Sequence, residues 1–227
     1  MSESRPTPSE WASRTVARLR SRGPVEVADS LRGQVRSAIG SGGILEFLAR
    51  ETAETCPERD DLTIRAASFT DAVAYEKAIG TDSSATFRAR LTDTTSCYLV
   101  SFEQRIAHAS WVTTSAAWTG EIRAFATPPD GSAYVYESFT DPALRGRGIY
   151  PWALRCICAE LSSRGVQRVW IGVERGNVSS VRAISKAGFE PAFSVRYRRR
   201  LGRLSTETPA GPKAEIAGQL LSKSWEG

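Results

Sequence analysis

The chain has 227 residues and a formal net charge of +5, with 41% hydrophobic and 24% charged residues, which is typical of a globular protein with one sizeable core. No apolar run approaches the length needed to cross a bilayer, and residues 1–6 lack the basic-then-apolar order of a secretory signal. We therefore expect a cytoplasmic protein without a transmembrane segment.

Arginine carries almost all of the positive charge, because lysine occurs only at positions 77, 186, 213 and 223. The surplus charge favours an anionic cofactor over a cationic one, and it leaves nucleic acid as a less favoured partner.

The cysteines and the single histidine do not form a metal-binding pattern. Cys156 and Cys158 are two residues apart in a helical pattern, so they point in different directions and cannot share a tetrahedral ion. We expect these two, with Cys56 and Cys97, to be buried thiols in a reducing compartment. His108 lies in an alternating run, where a hydrogen-bonded or exposed strand histidine is favoured over a catalyst.

Residues 1–58 are predicted to form a disordered start and a short basic helical arm. Thr7-Pro-Ser-Glu10 has the form of a capping box for a helix that ends at Gly23, a second helix is predicted from Asp29, and a third over residues 44–48. Eight arginines lie between positions 5 and 50. A helical cover packed on the main domain is favoured, and an arm that binds an anionic surface stays open.

The middle of the chain alternates strands and helices. The predicted elements are a strand over 62–66, helices over 70–75 and 84–91, and a hairpin over 97–102 and 105–112. A loop over 115–120 and an extra strand over 121–126 follow. Residues 193–197 are predicted as the last strand, and residues 203–227 as a linker with a short C-terminal helix over 214–225.

A glycine-rich turn joins a predicted strand over 134–140 to a helix that starts at Ile149. Gly146 and Gly148 permit backbone conformations that bring several amide N–H groups to one point. The positive end of the helix dipole, Arg145 and Arg147 add charge there. The expected ligand of this turn is a phosphate or pyrophosphate group.

Two further motifs follow a predicted buried strand over 169–173: Asn177-Val-Ser-Ser180 and Lys186-Ala-Gly-Phe189 flank a second helix. With Arg145-Gly-Arg-Gly148, which matches the first four positions of an Arg/Gln-x-x-Gly-x-Gly/Ala pyrophosphate loop, they make the chain resemble the GNAT superfamily of acyl-CoA-dependent N-acyltransferases. The resemblance covers about residues 62–200.

The resemblance implies an α/β (α+β) fold over residues 59–202, with a mixed, mostly antiparallel central sheet, helices on both faces, and a splay between the fourth and fifth strands. It implies transfer of an acetyl group from acetyl-CoA directly to a primary amine on a small molecule or a peptide. No metal is expected, and a homodimer is allowed.

The resemblance also implies roles for individual residues. Backbone amides and side chains of the loop would anchor the cofactor: Arg145, Gly146, Arg147, Gly148, Ile149 and Tyr150. Backbone groups of Ser138, Phe139 and Thr140 would bind the pantetheine arm, and an N–H near Ser138 would stabilise the oxyanion. Asn177 would contact the cofactor with Ser180 assisting, a role compatible with a helix cap.

Glu137 is the candidate general base, because it is a carboxylate in an otherwise apolar strand beside the expected thioester site. Pairing of Glu137 with a nearby arginine, or exposure to water, is the equally weighted alternative. Glu103 and Glu121 are reserve candidates for the general base.

The chain departs from the family pattern at two positions. Tyr150 replaces the usual Gly or Ala of the loop, and Ile184 stands where many members carry a tyrosine acid. Tyr136, Tyr150 or solvent would then protonate the leaving thiolate. A catalytically weak acyl-CoA sensor or structural module is therefore an alternative function, and acetylation of amino-sugars in polysaccharide formation is a minor one.

Overall fold

The computed structural model describes residues 41–53, 55–201 and 203–222, so the helices predicted between residues 7 and 39 lie outside the described residues. The strands of the described chain are β1 (Ser41–Glu51), β2 (Leu62–Ala66), β3 (Thr95–Phe102), β4 (Arg105–Thr113), β5 (Ala117–Thr119), β6 (Ala124–Ala126), β7 (Ser132–Thr140), β8 (Arg168–Glu174), β9 (Glu190–Arg200), β10 (Arg203–Glu207) and β11 (Leu221–Ser222). The α-helices of the same ranges are α1 (Ala72–Ala78), α2 (Ser84–Arg90), α3 (Ile149–Ser163), α4 (Val178–Lys186) and α5 (Pro212–Leu220).

Eight strands form the central sheet in the order β10-β9-β1-β8-β7-β4-β3-β2, and β11, β6 and β5 form a small second sheet. Strands β7 and β8 are parallel, and every other described neighbour in the central sheet is antiparallel. The parallel pair requires a crossover, and α3 supplies it. The mixed, largely antiparallel sheet predicted from the sequence is confirmed.

Helices cover both faces of the sheet. Helix α3 packs its apolar stripe, which includes Leu154, Ile157 and Leu161, on one face, and Ile184 of α4 joins the same cluster. Helices α1 and α2 cover Trp111 on the opposite face, where the small sheet and α5 also pack. The partly buried Tyr136 contacts both groups on that second face.

The helix predicted over residues 44–48 is wrong, because this segment is part of strand β1. The strand lies inside the sheet between β8 and β9, and its side chains alternate between faces: Phe47 packs on the small-sheet side and Leu48 on the α3 side. A short apolar run does not distinguish a buried strand from a buried helix. Both partner strands are far along the chain, so tertiary pairing decided the outcome.

Two further expectations are corrected at loops and at the C-terminal end. The predicted loop over 115–120 contains strand β5, which is stabilised by pairing with β6. Strand β9 is not the last strand, because β10 pairs with it inside the predicted linker and β11 pairs with β6. Helix α5 is present, its Leu220 is fully buried, and Trp225 lies outside the described residues.

The cysteines differ from the predicted set of four thiols. Cys97 and Cys158 are free and buried, as expected, but Cys56 and Cys156 form a disulfide across a separation of 100 residues. Sequence spacing alone does not reveal such a pair, because its formation depends on the distance between the two Cα atoms in the fold. The disulfide attaches the segment before β2 to helix α3.

Candidate functional site

Strands β7 and β8 separate towards their carboxyl ends. They pair over residues 132–135 and 168–171, and the last matched residues are Val135 and Ile171. Beyond that point β7 continues to Thr140 and β8 to Glu174 without pairing to each other. In α/β sheets, ligands bind at the carboxyl ends of parallel strands where connections diverge. A gap that could hold an extended ligand therefore opens at this edge.

A β-bulge bends β7 at the start of the gap. The register with β4 shifts between Ala109 and Trp111, and Glu137 has a φ of 47°, which is in the left-handed region. An extra residue in one strand increases the local twist and redirects its side chain. Glu137 is exposed at the bulge, immediately before Ser138.

The turn after β7 leaves backbone amides available for an anion. Gly146 and Gly148 have φ values of 82° and 74°. Among the described residues, none accepts a backbone hydrogen bond from the N–H groups of Gly146, Arg147 or Gly148. A Cβ on Gly146 would meet nothing within 4 Å, so the space beside the turn is open. Donors, open space and the start of the 15-residue helix α3 suit a diphosphate.

A segment remote in sequence holds this turn in place. Arg59 Nη1 donates to the carbonyl oxygen of Arg147 at 2.9 Å, and Arg59 forms an ion pair with Asp61. Trp152 Nε1, in the first turns of α3, donates to the carbonyl of Pro57 at 2.6 Å. The Cys56–Cys156 disulfide joins the same two segments, since Cys56 precedes Pro57 and Cys156 lies on α3. The glycine-loop motif could not predict the contact between Arg59 and Arg147, because the two residues are 88 positions apart in the sequence.

The candidate base Glu137 is paired with an arginine. Arg90 Nη1 lies 2.7 Å from Glu137 Oε2 and also contacts the carboxylate of Asp82. The guanidinium lies over the Trp111 ring at 3.9 Å. Side-chain exposure is 2% for Asp82, 13% for Arg90 and 30% for Glu137. Of the alternatives left open by the sequence, the ion pair is the arrangement present.

A second carboxylate, missed by the sequence reasoning, lies at the end of β8. Glu174 is half-buried, and burial raises its pKa, with the negative charge of Glu121 acting in the same direction and Arg199 opposing. Arg199 donates to the backbone carbonyls of Gly120 and Glu121, which holds that turn against β9. The sequence did contain a signal for this residue, because Glu174 is a charged residue that directly follows the apolar run over 169–173. Glu103, the other reserve, sits in the exposed β3–β4 turn beside Arg105.

A hydrogen-bonded chain runs beneath the first turn of α3. Thr140 Oγ1 contacts His108 Nδ1, His108 Nε2 contacts Ser110 Oγ, and Ser110 Oγ contacts Ser138 Oγ, each at 2.8 Å. Burial raises the pKa of Tyr150 to about 12, and the neighbouring Ser138 side chain acts in the opposite direction. The His108 and Tyr150 rings are 5.2 Å apart at 31°. His108 is therefore a satisfied histidine, and burial lowers its pKa to about 3.

The remaining site residues surround the gap. Asn177 caps α4 by accepting from the Ser180 N–H at 3.2 Å, beside the carboxyl end of β8. Phe139 packs towards the α1–α2 cluster, and Arg145 Nε donates to the Thr140 carbonyl at 3.3 Å. Ile184 is fully buried in the core under α3. No group of three or more potential metal ligands occurs in the described ranges, and no helix there is long and apolar enough to cross a membrane.

A family model described as the acetyltransferase (GNAT) family matches residues 74–189, just over half of the chain. The matched range includes the gap, the glycine turn and the Asn177 cap. A comparison with curated protein sequences finds no match.

Several solved structures are similar in fold. The GCN5-related N-acetyltransferase from Sphaerobacter thermophilus has a TM-score of 0.51 at 16% identity, over 77% of this chain and 56% of that one. A putative GNAT acetyltransferase from Novosphingobium aromaticivorans has a TM-score of 0.49 at 20% identity, over 69% of this chain and 63% of that one. The ribosomal-protein-S18-alanine N-acetyltransferase from Escherichia coli has a TM-score of 0.44 at 19% identity, over 57% and 77%. This chain thus spans less than two thirds of the length of the first two.

Proposed function

Since this chain belongs to the acetyltransferase (GNAT) family, we propose that it transfers an acetyl group from acetyl-CoA directly to the nitrogen of a primary amine. The observation that supports this function most is the gap between β7 and β8 next to the glycine turn. The gap has the form needed for an extended thioester arm, and the turn offers donors for the diphosphate at the end of that arm.

Acetyl-CoA would bind backbone groups of the end of β7 and of the glycine turn that follows it. The diphosphate would rest on the amides between Gly146 and Tyr150, with Arg145 and Arg147 adding positive charge. Pro151 removes no useful hydrogen bond, because it lies in the first turn of α3, where N–H groups lack helical acceptors. The pantetheine arm would lie along residues 138–140 and complete the unpaired edge of β7.

Transfer then requires an oxyanion donor and two proton movements. The amine nitrogen attacks the thioester carbon, and the N–H of Ser138 would stabilise the oxyanion. The N–C bond forms, the C–S bond breaks, the ammonium proton passes to a base, and the CoA thiolate gains a proton. Glu137 remains the proposed base, because it adjoins Ser138 at the bulge. Glu174 is a second candidate, because its raised pKa brings it nearer to working pH.

A calorimetric titration with acetyl-CoA, followed by CoA release with a panel of amines, tests this function. Gly148→Val should abolish acetyl-CoA binding, since a branched side chain at a φ of 74° distorts the turn. Gly165→Val is the matched control, because Gly165 has a φ of 80° at the other end of α3. Retained binding by Gly148→Val, or equal loss by both variants, would contradict the assigned anion site.

The acyl-CoA sensor is the second candidate function, and the burial of Ile184 where many relatives carry a tyrosine favours it. The sensor predicts acetyl-CoA binding with no CoA release above background for any amine. Small amines, amino-sugars and peptides with free N-termini or lysines belong in the panel. Selective turnover of an amino-sugar would support the polysaccharide alternative.

A further inference from the structure

We propose that His108 and Ser110 are positioning residues that hold the bulge of β7, so that the N–H of Ser138 is directed at the thioester carbonyl. This inference rests on the proposed acetyltransferase function and goes beyond it, because neither residue belongs to the glycine turn or to the Asn177 cap. Both residues lie on β4 and act on the site through β7.

The bulge of β7 lacks register partners on both of its edges. Glu137 and Ser138 have no residue opposite them on β4, because the register passes from Tyr136 directly to Phe139. On the other edge, β8 pairs with β7 only as far as Val135. Ladder hydrogen bonds normally fix the direction of strand amides, and a bulge interrupts them. The direction of the Ser138 N–H therefore depends more on side-chain contacts than that of a paired strand residue.

Two side chains of β4 supply such contacts to β7. Ser110 has no register partner on β7, and its hydroxyl lies 2.8 Å from the hydroxyl of Ser138. His108 Nε2 lies 2.8 Å from the Ser110 hydroxyl, and His108 Nδ1 lies 2.8 Å from the hydroxyl of Thr140. The imidazole and Ser110 together hold residues 138 and 140, the two ends of the segment proposed to bind the pantetheine arm.

The imidazole of His108 suits this role because it is buried, neutral and hydrogen-bonded at both nitrogens. His108 and Ser110 are both 0% exposed. Burial lowers the pKa of His108 to about 3, so at neutral pH the ring donates from one nitrogen and accepts at the other. Buried polar groups without partners are costly, whereas a fully hydrogen-bonded group restricts its neighbours to one arrangement.

The polar residues of this face of β4 occur where β7 is irregular. Side chains on a strand alternate between faces, so His108, Ser110 and Val112 lie on the same face of the sheet. Val112 is opposite Val135, where β7 pairs with both neighbours, and it packs in the apolar core under α3. The two polar residues lie instead beside the bulge and the segment that follows it. Their position favours a role in shaping the bulge over simple packing.

Loss of these contacts should affect the transition state more than acetyl-CoA binding. The thioester oxygen gains negative charge only as the amine attacks, so a misdirected Ser138 N–H mainly costs transition-state stabilisation. Complete removal of an oxyanion donor lowers kcat by about 100-fold to 1000-fold. Ser110→Ala leaves the donor present but less well directed, and we expect kcat to fall by about tenfold.

The first test measures the bound thioester and needs no acceptor amine. Infrared difference spectra of acetyl-CoA, isotopically labelled at the carbonyl carbon, report the hydrogen bond to the carbonyl oxygen. Binding to the wild type should lower the C=O stretching frequency relative to free acetyl-CoA. Ser110→Ala should lose most of this shift, while its Kd for acetyl-CoA, measured by calorimetry, changes by less than about threefold.

Thr113→Val is the matched control for the infrared test. Thr113 is also a buried hydroxyl residue of β4, and its hydroxyl bonds Thr95 on β3 at 2.9 Å. It lies opposite Tyr134, where β7 pairs with both neighbours. This variant should keep the wild-type shift. Equal shifts in the wild type and in Ser110→Ala, or an equal loss in Thr113→Val, would overturn the proposal.

The second test uses histidine replacements that each keep one contact. The side-chain amide of His108→Gln can occupy the position of Nε2 and bond Ser110, whereas that of His108→Asn can occupy the position of Nδ1 and bond only Thr140. With an amine that the wild type acetylates, His108→Gln should keep kcat within about threefold, and His108→Asn should lose about tenfold with little change in KM for acetyl-CoA.

A double variant shows whether the two residues act together. Ser110→Ala/His108→Asn should be no slower than Ser110→Ala alone, because both substitutions release the same Ser138 hydroxyl. Multiplied losses in the double variant, or equal kcat values for His108→Gln and His108→Asn, would overturn the proposal. A lower Tm with unchanged kcat would identify a structural role alone and would also overturn it.

The results separate this inference from the function on which it rests. If the wild type does not bind acetyl-CoA, the proposed function fails. If the wild type binds acetyl-CoA and shifts its carbonyl frequency, but Ser110→Ala gives the same shift, only this inference fails. If Ser110→Ala does not fold, the comparison of His108→Gln with His108→Asn decides the question by the same infrared measurement.

Discussion

Replacing Arg90 tests which carboxylate is the base, because Arg90 joins Glu137 to the buried Asp82. Arg90→Gln removes the guanidinium that stabilises both carboxylates in their charged forms. Removal of one member of a buried ion pair destabilises a protein by about 3–5 kcal/mol. Asp82 accounts for most of this amount, since its side chain is 2% exposed and that of Glu137 is 30% exposed.

A companion variant separates the effect on stability from the effect on catalysis. Asp82→Asn/Arg90→Gln removes both charges of the buried pair, and we expect it to recover most of the free energy of unfolding lost by Arg90→Gln. Glu137 still lacks its guanidinium in this double variant. If Glu137 is the base, the acidic limb of the profile of kcat/KM against pH should move to higher pH, because the carboxylate has lost a stabilising cation.

Urea unfolding at neutral pH measures the first effect, and initial rates of CoA release across pH measure the second. An acidic limb that does not move in the double variant would refute Glu137 as the base and favour Glu174. Equal stability of Arg90→Gln and the double variant would refute the assignment of the energetic cost to Asp82.

Three further predictions follow from contacts around the gap. Cys56→Ser should lower the free energy of unfolding by up to about 4.7 kcal/mol, the value for closing a loop of about 100 residues, and should weaken acetyl-CoA binding in calorimetry; equal stability with and without reductant in the wild type would contradict this. Arg59→Ala should raise Kd for acetyl-CoA by freeing the carbonyl of Arg147, and an unchanged Kd would contradict that positioning role. Because the folded-state pKa of Glu174 is raised, its charged form opposes folding above that pKa, so Glu174→Gln should match or exceed the wild-type Tm at pH 7 and gain relative to it as pH rises from 4 to 7; a lower Tm at pH 7 would contradict the sign.

The junction between β7 and α3 illustrates what the sequence by itself determined. The positive φ values of Gly146 and Gly148, the start of α3 at Ile149 and the Asn177 cap of α4 depend on interactions within a few residues. Such local features depend on neighbouring residues, so motif and periodicity predicted them, whereas the fold class came from the resemblance to the GNAT superfamily. The β3–β4 turn at residues 103–104 follows the same rule.

Only the tertiary structure decided which distant groups meet. Strand β1 entered the sheet between β8 and β9, Cys56 reached Cys156, and Arg90 reached Glu137 across 47 residues. The chain of hydrogen bonds from Thr140 through His108 and Ser110 to Ser138 likewise joins two strands. These contacts depend on burial and pairing between segments far apart in sequence. A short apolar run or an isolated charged residue does not indicate which distant residue it will contact.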